Sequence, residues 1–146
     1  MVKTNDFVRI GAHVPTSGGM ATRSIEYALT IKAEAIQVFA SSPRTWATSP
    51  PNPKMDELFR EKTNEHDIEP YVHASFLINL GSPTKSTYEN SLSATAYSLK
   101  RGRDIGAKGV VVHTGSAVDE SHVDNAWKQI HEGVMPILNN LKDDDP

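Results

Sequence analysis

Residues 71–83, YVHASFLINLGSP, join a short strand pattern to an unusually apolar loop, with a histidine at the junction. Tyr71 and Val72 are aromatic and β-branched, which is typical of a strand. Phe76, Leu77 and Ile78 then occupy positions where a connecting loop usually carries polar side chains. The stretch therefore predicts a strand that ends at His73, followed by a loop whose apolar residues have a packing or a binding role.

Three other runs have the same character and predict three more strands. They are residues 7–12 (FVRIGA), 35–40 (AIQVFA) and 109–112 (GVVV). Helical spacing of apolar residues appears in the sets Met55, Leu58 and Phe59; Leu92, Ala96 and Leu99; and Val123, Trp127, Ile130, Val134, Leu138 and Leu141. Gly18-Gly19 favours the entry of the first helix, and Pro136 predicts a kink or an early end of the last one.

The resulting order of elements is βαβαβαβα, which predicts an α/β protein with a parallel sheet and right-handed crossovers. Two folds satisfy this order: an open doubly wound sheet, or part of a (β/α)₈ barrel. No G-x-G-x-x-G motif follows the first strand, which weakens a dinucleotide-binding interpretation. A complete barrel needs about 250 residues, so the 146 residues with four βα units correspond to a half barrel within one domain.

The composition limits the possible chemistry. The chain has no cysteine, so it forms no disulfide, and any metal ion must be bound by His, Asp or Glu. A net charge of −3 provides no general basic field for nucleic acid. No run approaches the ~20 apolar residues of a membrane span, and the N-terminus lacks the apolar segment of a signal peptide. These features predict a cytoplasmic protein.

Three of the six histidines, His13, His73 and His113, each follow a strand pattern directly. Sites in parallel α/β folds form at the carboxyl ends of the strands. Neighbouring strands lie ~4.8 Å apart, so the side chains of His73 and His113 could bind one zinc ion at ~2.0–2.1 Å each. For His13, a hydrogen-bonded loop residue is the simpler interpretation. The other histidines lie in or beside helices and are expected in solvent: His66, His122 and His131.

A zinc site also needs further ligands, which the strand ends do not provide. The acidic residues of the helical regions include Glu57, Glu61, Glu65, Asp104, Glu120 and Glu132. None of these lies at a strand end. The sequence therefore predicts two ligands of a site that requires three or four.

The loop after the second strand contains Arg44 and Trp46 on the same predicted edge of the sheet. The two side chains can form a cation–π pair with no further role. They can equally present a guanidinium and a ring to a phosphate or an unstacked base. Their spacing leaves both interpretations open.

Taken together, these motifs resemble the endonuclease IV (deoxyribonuclease IV) family, zinc-dependent enzymes that cleave DNA at abasic sites. The matching stretches, in the order of the family, are Ile10-Gly11-Ala12-His13-Val14 with Gly18-Gly19; Pro43-Arg44-Thr45-Trp46; His73 with Ser75-Phe76-Leu77-Ile78-Asn79-Leu80-Gly81; and Val112-His113-Thr114-Gly115-Ser116. The histidine followed by Leu-Ile-Asn-Leu-Gly is specific when combined with His-x-Gly-Ser. The resemblance covers nearly the whole chain.

The resemblance implies a (β/α)₈ TIM barrel, of which residues 1–146 cover about the first four βα units, as the N-terminal part of a single domain. It implies up to three Zn²⁺ ions, with His73 and His113 as ligands of one. Arg44, Phe76 and Leu77 would contact DNA at the lesion, while His13 and Trp46 would line the site. The family usually has tyrosine at position 76, so this chain loses a hydroxyl there.

The implied activity is hydrolysis, in base excision repair, of the phosphodiester bond 5′ to an abasic site by zinc-activated water. The partner is double-stranded DNA with abasic sites, and the location is the bacterial cytoplasm or nucleoid. The remaining metal ligands, including a bridging glutamate, are expected beyond the fourth strand, so no catalytic residue is assigned. The 146-residue chain alone is therefore expected to be inactive and to self-associate.

Two other functions are compatible with the sequence. One is a divalent-metal TIM-barrel sugar isomerase or epimerase, which predicts carboxylate ligands and needs neither Arg44 nor an apolar loop. The other is a non-catalytic fragment that acts as an interaction module.

Overall fold

The computed structural model describes residues 8–143 and 145–146; Phe7, predicted to begin the first strand, lies outside them. Four strands are present: β1 (Gly11–His13), β2 (Ala35–Phe39), β3 (Glu69–His73) and β4 (Val110–Val111). Four α-helices follow them: α1 (Ile25–Thr30), α2 (Pro53–Glu65), α3 (Lys85–Ile105) and α4 (Val123–Asn139). A π-helical segment, Gly19–Ser24, leads into α1, and a short 3₁₀ turn, Glu120–His122, leads into α4.

The four strands form one parallel sheet in the order β1-β2-β3-β4. His13 pairs with Gln37, and Gln37 pairs with Tyr71. Two residues further along β2 and β3, Phe39 pairs with His73, and His73 in turn pairs with Val111 of β4. Doubly wound sheets reverse their strand order at a switch point, whereas consecutive right-handed crossovers place every helix on one face. The fold is therefore a half barrel, and the half-barrel prediction is confirmed.

The main core lies between the sheet and the helices. Ile36 and Val38 of β2 alternate with half-buried residues, so one face of the strand is buried and the other lines the concave side. The buried strand side chains pack in one cluster with Ala28 of α1, Phe59 of α2 and Ile105 of α3. This single-sided burial leaves the concave face of the sheet available for a site.

A second cluster lies below the apolar loop. Ile78 and Leu80 are 3% and 1% exposed, and Leu92, Ile130 and Val134 pack against them. The loop is therefore partly core, so of the two roles considered for its apolar residues, Ile78 and Leu80 have the packing one. Phe76, in contrast, is 55% exposed.

A buried ion pair joins α2 to α3. Both terminal guanidinium nitrogens of Arg101 donate to the Asp56 carboxylate, at 2.7 and 2.8 Å, and each side chain is only 6% exposed. α2 begins after Asn52, whose side chain accepts from the amide of Met55, with Pro53 in the first turn. These interactions orient the two helices that lie behind β2 and β3.

The stripe predicted for α4 is wider than the surface that the helix buries. Ala126 is buried, whereas Trp127 is 71% and Leu138 46% exposed. α4 packs on α3 and on the apolar loop, where Tyr88 donates to the carbonyl of Gln129 and Gln129 donates to those of Leu80 and Ser82. The apolar residues of α4 that lie outside this contact, Trp127 and Leu138, remain exposed to solvent.

Three further details differ from expectation. Of the two effects predicted for Pro136, the early end is not observed, because the helix continues to Asn139. The fourth strand spans Val110–Val111 only. His122, expected in solvent, has a buried Nε2 without a hydrogen-bond partner, whereas His66 and His131 are exposed.

Among the described helices, none combines the length and the hydropathy of a membrane span.

Candidate active site at the carboxyl ends of the strands

His73 and His113 lie side by side at the carboxyl edge of the sheet. Their Nε2 atoms are 3.2 Å apart. His73 is the last residue of β3 and pairs with Val111 of β4. His113 lies two residues after Val111. Because side chains alternate along an extended chain, this offset of two returns His113 to the same face as His73. His113 therefore reaches the site from just beyond the end of β4.

The hydrogen bonds of the pair suit a shared cation. Nδ1 of His73 lies 2.7 Å from the carbonyl oxygen of Ala74, and a proton on Nδ1 leaves the Nε2 lone pair directed at His113. Two ligand nitrogens at ~2.0–2.1 Å from a tetrahedral zinc ion lie ~3.3 Å apart. The observed 3.2 Å therefore fits two ligands of one ion. Within residues 8–143 and 145–146, no group of three or more His, Cys, Asp or Glu side chains surrounds a possible metal position.

His13 lies next to the pair but is oriented by another residue. Its Nδ1 is 3.0 Å from Oε1 of Gln37, its strand partner, and its ring centroid lies 6.1 Å from that of His73. The hydrogen bond agrees with the simpler interpretation of His13 as a satisfied residue that lines the site.

Phe39 is a site residue that the sequence analysis missed. Its ring contacts His13 at a centroid distance of 4.4 Å and both His73 and Phe76 at 5.2 Å. The last two contacts are edge-to-face, a favourable arrangement for aromatic rings. The available signal was its position, because Phe39 ends β2 as His13 ends β1 and His73 ends β3.

Phe76 and Leu77 occupy different environments. The exposed ring of Phe76 lies over the site, with centroids 5.1 Å from His73 and 6.4 Å from His113. Leu77 is half-buried, and its amide donates to the hydroxyl of Ser75. Phe76 therefore presents most of the free apolar surface of this loop.

Arg44 and Trp46 are both exposed in the loop after β2. This loop is attached to the loop after β3, because the carbonyl of Pro43 accepts from the amide of Phe76 and from the hydroxyl of Ser75. The residue directly before Arg44 is thus bonded to Phe76. The structure brings the two predicted DNA-contact segments together around the histidine pair.

One group of ion pairs lies at the amino ends of the strands, away from this edge. Arg9 forms ion pairs with Asp67 at 2.8 Å and with Glu69 at 3.2 Å. Burial and the neighbouring Glu69 carboxylate raise the pKa of Tyr71, which donates to that carboxylate. The candidate site itself consists of imidazoles and aromatic rings, with an arginine at its rim.

Comparison with known proteins agrees with this fold. Residues 25–145 match the family described as xylose isomerase-like TIM barrel, and the chain belongs to this family. Two of its curated relatives are named probable endonuclease 4. The chain is 50% identical over 138 residues to a probable endonuclease 4 of Streptomyces coelicolor, covering 94% of the chain and 47% of that protein. A probable endonuclease 4 of Thermosipho africanus is 33% identical and is covered to 48%.

Solved structures give the same result. Endonuclease IV from Thermus thermophilus superposes with a TM-score of 0.72 at 28% identity, covering 92% of this chain and 48% of that one. The resemblance to endonuclease IV predicted from the motifs is thereby confirmed. A D-tagatose 3-epimerase-like protein, at a TM-score of 0.63 and 17% identity, shares the fold alone. The chain spans about half the length of the curated relatives that it matches.

Proposed function

We propose that this chain contributes the first zinc ligands and the lesion-contacting loops of a DNA endonuclease that cleaves 5′ to abasic sites in base excision repair. The observation that carries the proposal is the pair of Nε2 atoms, 3.2 Å apart, beneath an exposed phenylalanine ring. The endonuclease names of the relatives support the nuclease class. Work on chromosomal DNA would place the protein in the bacterial cytoplasm or nucleoid.

The proposed metal site uses His73 and His113 as ligands of one Zn²⁺. The carbonyl of Ala74 orients the His73 ring from Nδ1, the kind of outer hydrogen bond that metal-binding histidines normally make. The chemistry that bound zinc supplies is Lewis-acid activation of water and stabilisation of charge on the phosphate. Residues 1–146 would form the N-terminal part of a single barrel domain, so the remaining ligands, for up to three zinc ions, would come from its other part.

The proposed DNA contacts follow from exposure and charge. The free face of Phe76 can stack on a base beside an abasic gap, where the stack is already interrupted. Leu77, which follows it and is half-buried, would fill the adjacent space. Arg44 can pair with a phosphate, and Trp46 adds a ring at the rim. The imidazole of His13, held by Gln37, would line the pocket below.

A sugar isomerase or epimerase of the same fold remains the competing function. It would need carboxylates near the carboxyl ends of the strands. In the part of the chain that the structure describes, those ends carry His13, Phe39 and His73, and Glu69 lies at the start of β3. Sugar isomerisation also needs neither the Arg44 loop nor an apolar wedge such as Phe76.

A chimera tests the proposed function. Residues 1–146 would replace the matched half of the Streptomyces coelicolor relative, which completes the barrel. We expect EDTA-sensitive nicking of a duplex with one abasic site and no nicking of the matched intact duplex. The His73→Ala chimera, which removes a proposed ligand, should lose both zinc and activity, whereas His131→Ala, an exposed histidine on α4, should retain both.

Two outcomes would contradict the proposal. One is a folded, zinc-loaded chimera that leaves abasic DNA intact but interconverts free sugars, which would favour the isomerase. The other is nicking that does not discriminate the abasic duplex from the intact one.

A further inference from the structure

The side chain of Asn79 bonds the two loops that surround the histidine pair. The loop after β3 bears His73 and Phe76, and the loop after β4 bears His113. Oδ1 of Asn79 accepts from the amide of Gly81, at 3.1 Å, and from the amide of Ser116, at 2.9 Å. One amide oxygen thus bonds a residue of each loop.

The position of Asn79 is itself determined by α3. Its backbone amide donates to the hydroxyl of Ser91, at 2.9 Å, and that hydroxyl donates to the carbonyl of Thr87. Ser91 is completely buried. Asn79 therefore links α3 to the loop after β4, because it bonds Ser91 with its backbone and Ser116 with its side chain.

The contact between the loops leaves no room for a side chain at Gly115. A Cβ added there would lie 2.1 Å from Oδ1 of Asn79 and 2.6 Å from its Cα, and Gly115 has φ +86°. Both the space and the left-handed backbone require glycine. The close approach of Gly115 brings the amide of Ser116 within reach of Oδ1.

His113 needs such support because it lies outside the sheet. The last sheet-like bond here runs from the amide of Ala74 to the carbonyl of Val111, and the next runs from the amide of Leu80 to that of Thr114. Between these two bonds, the His113 ring reaches Nε2 of His73. The placement of His113 thus depends on how the loop after β4 is held beyond it.

We propose that Asn79 is a positioning residue that sets the distance between His73 and His113 by holding the loop after β4 against the loop after β3. The inference rests on the proposed metal site but not on the DNA substrate. It requires an acceptor at Oδ1, because both partners are backbone N–H donors. Aspartate keeps that acceptor, whereas alanine removes it.

The first experiment titrates Zn²⁺ into metal-free residues 1–146 and its variants by calorimetry. Outer hydrogen-bond partners typically change metal affinity by about 10–100-fold, and we expect a loss of this size in Asn79→Ala. Asn79→Asp should retain most of the affinity. Asn90→Ala, at an exposed position of α3, is the matched control and should bind as the unmodified chain does.

A second variant approaches the same contact from the other loop. Gly115→Ala should displace Asn79 and lose zinc affinity as Asn79→Ala does. Gly106→Ala provides the control for backbone strain, because Gly106 also has a positive φ, of +70°, but caps α3 away from the site. Denaturation midpoints of all variants would separate a local loss of affinity from unfolding.

Amide hydrogen exchange in the metal-free chain supplies a readout that does not depend on zinc. Exchange at Ser116 should accelerate in Asn79→Ala and remain slow in Asn79→Asp. Equal protection of Ser116 in the folded alanine variant, or an aspartate variant as impaired as the alanine variant, would overturn the inference. If the unmodified chain binds no zinc, the proposed metal site fails while exchange at Ser116 still decides the role of Asn79.

Discussion

His73 combines more constraints than any other residue of the candidate site. It ends β3, it is 8% exposed, and its two ring nitrogens face a carbonyl and the second imidazole. Edge-to-face contacts with Phe39 and Phe76 restrict rotation of the ring. A side chain with this much support has little rotamer freedom left to lose, as the proposed metal site requires.

The first prediction separates the metal site from the aromatic loop. His73→Ala should abolish zinc binding by residues 1–146, because a single remaining imidazole is a weak ligand for zinc. Phe76→Ala should leave the zinc stoichiometry unchanged, because Phe76 contacts the histidines only through its ring edge and face. Calorimetric titration of both variants checks this, and an unaltered zinc affinity in folded His73→Ala would contradict it.

The second prediction concerns DNA. In the chimera, Phe76→Ala should weaken binding to an abasic duplex by about 1–3 kcal/mol, the value of a lost base–aromatic stack. Phe76→Tyr, which keeps the ring, should bind as well as phenylalanine. Fluorescence anisotropy with abasic and intact duplexes measures the difference. If the alanine variant merely unfolds, or weakens binding to both duplexes equally, the stacking role is wrong.

At the scale of elements, α2 and α3 are joined by charges buried between helices. Arg101 bonds Asp56 with both terminal nitrogens and also lies 3.1 Å from Asp104. The carboxylates raise the pKa of Arg101, and the hydrogen bond that Arg101 donates to Asp56 is the first of the causes. Removing Asp56 leaves the buried Arg101 with only its contact to Asp104, and removing Arg101 leaves the Asp56 carboxylate buried without its partner.

The third prediction follows from this pair. Asp56→Ala should destabilise the chain by about 3–5 kcal/mol, as expected for a buried pair that loses one member. The double variant Asp56→Leu with Arg101→Met should recover much of that loss, because an apolar pair of similar size needs no compensation. Lys85→Ala, which removes an exposed pair with Glu89, should cost about 1 kcal/mol or less. Urea unfolding measures all three, and equal costs for the first two would contradict the prediction.

The fourth prediction concerns acid. Burial opposes ionisation of Asp104, but hydrogen bonds from Lys100 and Arg101 outweigh it and lower the pKa of the carboxyl. A lowered folded-state pKa stabilises the fold fully above the unfolded pKa of about 3.9, and this contribution is lost as pH falls through the folded value. Asp104→Asn should therefore reduce stability at pH 7 and flatten the loss of stability below pH ~4. Unfolding curves from pH 7 to pH 2 test this, and parallel pH profiles would contradict it.

At the scale of the whole molecule, the sheet is a half barrel with one open face and two outer strands. Near β1, Val8 is 86% and Ile10 74% exposed, and Trp127 on α4 is 71% exposed. Exposed apolar side chains beside an unpaired strand favour association with another chain.

The fifth prediction is that residues 1–146 alone self-associate and do not nick DNA. Sedimentation should show oligomers that shift toward monomer in Trp127→Glu, and an exposed surface control, Lys128→Glu, should not shift. Incision needs ligands beyond the histidine pair, so the isolated chain should leave abasic DNA intact with zinc present. Robust EDTA-sensitive nicking by a purified monomer would contradict this.

Much of the fold and part of the site were predictable because their signals are local. Short β-branched runs bounded by turn residues located the strands, and their alternation with helices determined a parallel sheet. The same periodicity placed His13, His73 and His113 at one edge. In a parallel sheet, chain order alone determines the direction of each strand and the edge at which the strand ends. The predicted sheet and the predicted edge of the three histidines therefore agree with the structure.

The remaining features depend on contacts between distant residues. The sequence by itself determined which residues lie at the carboxyl edge and which motifs resemble endonuclease IV. Only the tertiary structure decided that Phe39 packs between two histidines, that the α4 stripe is half exposed, that Nε2 of His122 is buried, and that Asn79 joins two loops. The spacing of His73 and His113 belongs here too, because it results from packing between segments 40 residues apart. Local propensities act within a few residues, whereas these distances follow from how helices and loops pack across the sheet.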